Sequence, residues 1–262
     1  MTLCIVGAGA MGRWLAETLA AAPSAFDFAF ADTDTAVAEA AAAEFDAAAL
    51  SLSDGAPAAD HSFETVCLAV PIPAVEGAVA DWAPHAESAM LDLSGVMAAP
   101  VEAMREHLPD RERASLHPLF APARAPGNVA VVKDAVGPTL SPVLDALRDA
   151  GNDLFETTPA EHDDAMQTVQ AKSHAAVLAW ALAGEDVREE FHTPVSAGLA
   201  DIAATVTEGE ARVYADIQDA FGGADAVADA ARAVAEADGE TFAELYAEAG
   251  ATADARSTEG ER

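Results

Sequence analysis

The chain has 262 residues, 52% of them hydrophobic, which is enough for two domains with buried cores. Its 45 acidic side chains outnumber 13 basic ones, a formal net charge of −32, so it repels phosphate backbones and nucleic-acid binding is excluded over most of its surface. No apolar run is long enough to span a bilayer.

Leu3-Cys4-Ile5-Val6 reads as a buried strand, followed by Gly7-Ala8-Gly9-Ala10-Met11-Gly12 and a helix from Arg13 to Ala22. The strand starts directly after Met1-Thr2, which leaves no room for a secretion signal, so a cytoplasmic protein is expected. Phe26 to Ala31 forms a second strand ending in Asp32, and Thr35 to Phe45 an Ala-rich helix. Val66 to Val70 is another buried strand closed by Pro71, and a helix from Ala74 to Trp82 leads to a strand over Ala89 to Leu93. Helix 100–107, strands 114–116 and 129–132, helix 138–150 and a short strand near Leu154 follow. Strands alternating with helices predict a Rossmann-type, doubly wound parallel sheet in an α/β domain over residues 1–158. After Thr158 the strand signal stops. A long helix to about Ala183 and stretches over 194–206, 208–221, 224–237 and 240–249 predict an all-helical domain over 159–250, with 251–262 as a flexible tail. Cys4 and Cys67 fall in predicted central strands and read as small buried apolar residues, and no metal site is expected.

The turn after the first strand carries G-x-G-x-x-G. Gly7 permits the tight turn, Gly9 lets backbone approach a pyrophosphate, and Gly12 lets the helix pack on the strand. The open N–H groups at the helix start, including those of Ala10 and Met11, bind phosphate. Asp32 would hydrogen-bond the ribose hydroxyls and repel a 2′-phosphate. With no arginine close by in the sequence, NAD is favoured over NADP. Val70 and Pro71 would close the next strand beside the cofactor.

Two further segments hold polar groups that packing does not demand. One is His117-Pro118-Leu119-Phe120-Ala121-Pro122; the other is Glu161-His162-Asp163 with Met166, Gln170 and His174. Asp163, Gln170 and His174 stand at i, i+7 and i+11, one face of a regular helix. Together with the glycine turn, these segments resemble the prephenate dehydrogenases of tyrosine biosynthesis over residues 3 to 220. That family carries an HPMFGP-like segment and an EHD-x-x-M-x-x-x-Q-x-x-x-H-like helix behind a dinucleotide-binding domain.

The resemblance implies NAD-dependent oxidation and decarboxylation of prephenate to 4-hydroxyphenylpyruvate. His117 would accept the hydroxyl proton, a task that suits an imidazole near its ordinary pKa; a solvated loop histidine before proline is the other reading. Gln170 and His174 would form the polar wall of the substrate pocket. Asp92 to Met97 occupies the place of the family's D-x-x-S-x-K, with Gly95 at the serine and Met97 at the lysine. Ser94 would then supply the hydroxyl from one position earlier, or act only as a turn residue. Thr205 falls where relatives carry an arginine, so Arg124, Lys172 and Arg212 are the candidate cations for substrate carboxylates. Acids such as Glu161 and Asp163 in a first helical turn also complement the helix dipole with no substrate present.

Arogenate is an equal substrate on these grounds, and a dinucleotide-binding regulatory protein without chemistry is the non-enzymatic alternative. A hydroxyacid dehydrogenase or imine reductase shares the first half but relies on a lysine pattern absent around Lys172. The resemblance also implies a homodimer through the helical half. The acidic coat matches proteins that work in molar salt, where the Debye length falls to about 3 Å.

Overall fold

The computed structural model describes residues 1–52, 55–185 and 187–259, with side chains to residue 251. The chain divides into two compact units, Met1–Met166 with Ala215–Ala220, and Gln167–Tyr214 with the chain from Phe221 onward. The division falls at Met166, inside the helical segment, rather than at Thr158. The expected flexible tail is helical to Glu259; residues 260–262 lie outside the described residues.

The first unit runs β1 (Thr2–Val6), α1 (Ala10–Ala20), β2 (Asp27–Ala31), α2 (Thr35–Glu44), β3 (Ala48–Leu50), β4 (Phe63–Leu68), α3 (Val75–Trp82), β5 (Ala86–Asp92), α4 (Ala98–His107), β6 (Glu112–Pro118), β7 (Asn128–Ala135), α5 (Ser141–Asp149), β8 (Asp153–Glu156) and α6 (Pro159–Met166). One eight-stranded sheet has the order β3-β2-β1-β4-β5-β6-β7-β8. The strand order reverses between β1 and β4, and a doubly wound sheet opens its ligand crevice at such a reversal, beyond the carboxyl ends of the strands.

Strand residues alternate between two cores. Leu3 and Ile5 pack with Trp14, Leu15 and Leu19 of α1 and Leu144 and Leu147 of α5. Cys4 and Val6 turn to the opposite face with Val79 and Trp82 of α3 and Val101 and Met104 of α4. A strand covered on both faces is apolar throughout, which is why these runs lack polar alternation. Both cysteines are buried and unpaired.

The doubly wound sheet is mostly parallel, as expected; β6 and β7 are the exception and pair antiparallel with His117 opposite Ala130. The link at residues 119–127 contains Pro122 and Pro126 and only a single 3-10 turn, Pro122–Arg124. It is too short for the helical crossover a parallel return needs, so the chain folds back directly. At the far end of β6, Glu112 lays its carboxylate over the turn into α5. It accepts the N–H groups of Gly137 (2.9 Å), Thr139 (3.0 Å) and Leu140 (2.9 Å). Burial would raise this carboxyl, but the amides outweigh it and hold it below the usual range.

The second unit opens with a π turn, Gln167–Lys172, and continues with α7 (Ser173–Ala183), α8 (Pro194–Thr207), α9 (Ala211–Phe221), α10 (Ala224–Glu236) and α11 (Gly239–Glu259); residues 215–220 of α9 belong to the first unit. Thr193 and Ser196 form a reciprocal capping box at the start of α8. Apolar side chains stay exposed along this unit, including Leu182 at 86%, Phe191, Val195 and Tyr246 at 75%. No helix among the described residues is long and apolar enough to cross a membrane.

Candidate active site

The glycine turn is built by close approach. A Cβ on Gly7, whose φ is +94°, would stand 2.2 Å from the carbonyl oxygen of Ala69, and one on Gly12 would stand 2.1 Å from that of Gly7. Neither position admits a side chain. Gly9 has nothing within 4 Å of a built Cβ, so its open side admits a ligand. No side chain caps α1, leaving the first N–H groups of Ala10, Met11 and Gly12 to an anion.

Asp32, just past β2, accepts the N–H of Ala8 at 2.9 Å and that of Asp34 at 2.9 Å. Its carboxylate is thereby aimed at the glycine turn, as a ribose ligand requires. Val70 is half-buried behind Ala69, and Pro71 is exposed at the start of the following 3-10 turn. This cradle fits a dinucleotide. Folding also brings up an arginine that sequence distance hid. Arg13 Nη2 reaches the Val37 carbonyl at 3.4 Å, while Nη1 pairs with Glu44 at 2.7 Å and Nε bonds the Ala8 carbonyl. That guanidinium is engaged by the protein itself.

Changing Asp32 to alanine would remove the candidate ribose ligand together with the acceptor for Ala8. We expect the KM for NAD to rise roughly tenfold, the size of one charge-assisted hydrogen bond, and the preference over NADP to narrow. Steady-state kinetics with both cofactors would show it, and an unmodified protein that prefers NADP would remove Asp32 from this role.

His117 lies at the carboxyl end of β6, buried, with Nδ1 2.8 Å from Nε2 of His162 on α6. His162 is buried in turn, and its Nδ1 is 2.8 Å from Asp163 Oδ1. Proton counting assigns the tautomers. A carboxylate only accepts, so a neutral His162 would carry its proton on Nδ1 and present a lone pair at Nε2. His117 must then donate from Nδ1, which makes its own Nε2 the accepting atom. Burial first, then the neighbouring imidazole, push His117 down to about 3, against the pull of Asp163. The expectation of an ordinary histidine pKa is therefore corrected.

Asp163 has a second task. Its Oδ1 and Oδ2 accept the N–H groups of Met97 and Ala98 at 3.0 Å each, capping α4. Burial would raise its carboxyl, but the bonds from His162 and the two amides prevail and hold it low. The single helical face implied by the i, i+7, i+11 spacing assumed regular winding, and the π turn at Gln167–Lys172 replaces it.

Of the two roles open to Ser94, its contacts fit the turn residue. Its side chain is buried, with Oγ 2.5 Å from Asp92 Oδ2 and 2.8 Å from the Val96 carbonyl, so it acts as a turn residue. Gly95 is the position that faces the histidine. A Cβ built there would lie 3.7 Å from His117 Nε2 and 3.2 Å from Ile72. Met97, in the lysine position of the resemblance, is fully buried in the core.

Arg124 stands exposed at the end of the 3-10 turn after the HPLFAP segment and makes no ion pair among the described residues. In the helical unit, Gln170 lies on the π turn, where irregular winding often marks function. His174 packs edge-on against Tyr214 with ring centroids 4.8 Å apart, and burial lowers its pKa. Arg212 is exposed, 3.8 Å from Glu210. His162 and Asp92 stand inside the segments singled out in the sequence, but neither was given a role there. The adjacency of His162 to Asp163 was visible, but its pairing with His117 forms only in the fold.

No family model matches the chain. It is 33% identical over 254 residues to a 4-amino-4-deoxyprephenate dehydrogenase of Streptomyces pristinaespiralis, covering 85% of this chain and 79% of that protein. Its fold is similar to that of a prephenate dehydrogenase from A. aeolicus in complex with hydroxyphenyl propionate and NAD+ (TM-score 0.71, 17% identity, 96% of each chain). It is also similar to Synechocystis arogenate dehydrogenase (TM-score 0.62, 18% identity, 99% of this chain and 100% of that one).

Proposed function

Because the chain belongs to the prephenate dehydrogenase family, we propose that it converts prephenate to 4-hydroxyphenylpyruvate with NAD. The observation that carries the reading is the hydrogen-bonded series His117–His162–Asp163 at the end of β6. NAD, held at Gly7, Gly9, Ala10, Met11, Gly12 and Asp32 with Val70 and Pro71 alongside, supplies the hydride acceptor. His117 Nε2 takes the proton of the ring hydroxyl as its carbon becomes a carbonyl. Loss of the ring carboxylate as carbon dioxide then leaves an aromatic product. The positive charge gained by His117 is shared through Nδ1 with His162, and Asp163 stabilises it. Asp163 also fixes both tautomers beforehand, so the base needs no reorganisation when the proton moves.

Arg124 is the proposed partner of a substrate carboxylate, with Gln170 and His174 as polar wall and Arg212 as a second cation. Gly95 and buried Met97 favour a second substrate, the 4-amino analogue for which the 33%-identical relative is named. Gly95 places no hydroxyl beside His117 Nε2, and Met97 offers no ammonium. Formation of NADH at molar salt, with prephenate, arogenate and 4-amino-4-deoxyprephenate in parallel, tests the reading. Turnover of prephenate with the highest kcat/KM supports it, and absence of turnover with all three overturns it.

Two unpaired thiols fit a reducing, cytoplasmic location. A homodimer through the helical unit is supported by its exposed Leu182, Phe191, Val195 and Tyr246, large apolar side chains that a partner's helices would cover. Sedimentation at molar salt should give twice the chain mass, and a clean monomer at micromolar protein would count against it.

A further inference from the structure

Two oxygen acceptors crowd one hydroxyl beneath the site. Ser94 Oγ lies 2.5 Å from Asp92 Oδ2 and 2.8 Å from the carbonyl oxygen of Val96, both contacts are buried, and the same Oδ2 also accepts the Ser94 N–H at 3.0 Å. A serine hydroxyl carries one proton, and a carbonyl oxygen has none to give. If Asp92 were a carboxylate, the one Ser94 proton would have to be split between two acceptors, or one contact would set lone pair against lone pair. A proton on Asp92 resolves the count: the acid donates to Ser94 Oγ, and Ser94 donates to Val96. We propose that Asp92 is a neutral carboxylic acid in the folded protein, donating from Oδ2 to Ser94, and that it acts as a positioning residue for the turn at residues 94–97.

The surroundings agree. Asp92 is fully buried, and no cation pairs with it among the described residues. Its Oδ1 makes no hydrogen bond, which costs far less for a neutral carbonyl oxygen than for half of a carboxylate. The groups facing it are the Ser115 hydroxyl opposite on β6, the Cys67 thiol on β4 and the Asp163 carboxylate on α6. None is positive, and Asp163 is already negative, so a second charge here would be repelled. Burial, with Asp163 adding to it, pushes Asp92 up to about 7 against the opposing pull of the Ser94 hydroxyl and amide and of the Ser115 hydroxyl.

The positioning role rests on the function proposed above; the placement of the proton does not. Losing the proton turns the Ser94 hydroxyl toward Asp92 and leaves the Val96 carbonyl without its donor. The turn that slackens holds Gly95, next to His117 Nε2, and leads to the Met97 and Ala98 amides on which Asp163 is anchored. A slack turn misplaces the base by way of His162.

Infrared spectroscopy of the whole protein at molar salt reads the proton directly. On the acid side of neutrality, once exposed carboxyls have ionised, one protonated-carboxyl carbonyl band should remain and vanish with a midpoint near 7. It should be missing from Asp92→Asn. In Ser94→Ala the midpoint should rise by roughly one pH unit, because the ionised form loses the stronger hydrogen bond. If Asp92→Asn fails to fold, the Ser94→Ala comparison still decides. Absence of the band from the unmodified protein, its survival in Asp92→Asn, or an unmoved midpoint in Ser94→Ala would overturn the placement of the proton. For the positioning role, kcat should fall on an alkaline limb that shares the band's midpoint and moves with it in Ser94→Ala. A limb that stays put while the band moves overturns that role, and an enzyme inactive with every substrate, whatever the band does, overturns the proposed function instead.

Discussion

Replacing His117 with asparagine is expected to lower kcat by ~10²–10⁴-fold, the usual contribution of a positioned general base, while NAD binding persists. Asparagine donates to His162 Nε2 from its amide much as the imidazole does from Nδ1, so the neighbouring histidine keeps a partner. What is lost is the lone pair at Nε2. Because His117 is pushed down to about 3, its base form is present throughout the neutral range. The acid limb of kcat should therefore lie well below the range of a free histidine.

Stability should carry the same signature. The unfolded imidazole binds a proton near 6.5 and the folded one only near 3. The stabilisation due to the neutral buried ring is complete above 6.5 and is lost as pH falls from there toward 3. Thermal unfolding followed over that window should flatten in the variant. Unchanged turnover in His117→Asn would move the base elsewhere, with His174 the next candidate.

Diluting the salt is expected to unfold the protein. At a formal charge of −32, a fall to ~0.01 M salt stretches the Debye length to about 30 Å, so acidic groups across the whole surface repel one another. Much of the core is alanine, and each alanine buries far less area than a leucine, so little apolar free energy opposes that repulsion. Helical circular dichroism and activity should peak near molar sodium or potassium chloride and collapse together on dialysis. NAD should delay the collapse by binding the folded form alone. A full spectrum and full activity in dilute buffer would show that the acidic coat is not an adaptation to salt.

What could be read in advance tracks how local the chemistry is. The glycine turn was legible because three glycines, one strand and one helix specify it within a short span. His117 was legible because a histidine between a strand and a proline-bounded loop is seldom demanded by packing. His162 was not, since its meaning depends on a ring 45 residues away. Asp163 was hidden by a sound local alternative: an acid in a first helical turn complements its own helix, whereas here the carboxylate caps a different one.

The two readings of Ser94 stayed open because sequence supplies position but not direction. The fold turns the open Cβ direction of Gly95 toward His117 and Ser94 inward. The antiparallel pairing of β7 followed from the length of the link at residues 119–127, a quantity on view but outweighed by the alternation of strands and helices. The π turn left no mark in the apolar periodicity, and a regular helix was the default.

Glu112 sets one corner of the molecule apart from the rest of this electrostatic balance. A concave run of backbone amides at the start of a helix is an anion receptor, and in brine it would fill with halide and empty again as the brine was diluted. Here the anion is tethered by the adjoining strand, so its effective concentration is a property of the chain and not of the medium. The junction of β6 with α5 is thus an anion site that the chain fills itself, and it anchors the strand that presents His117 at its opposite end.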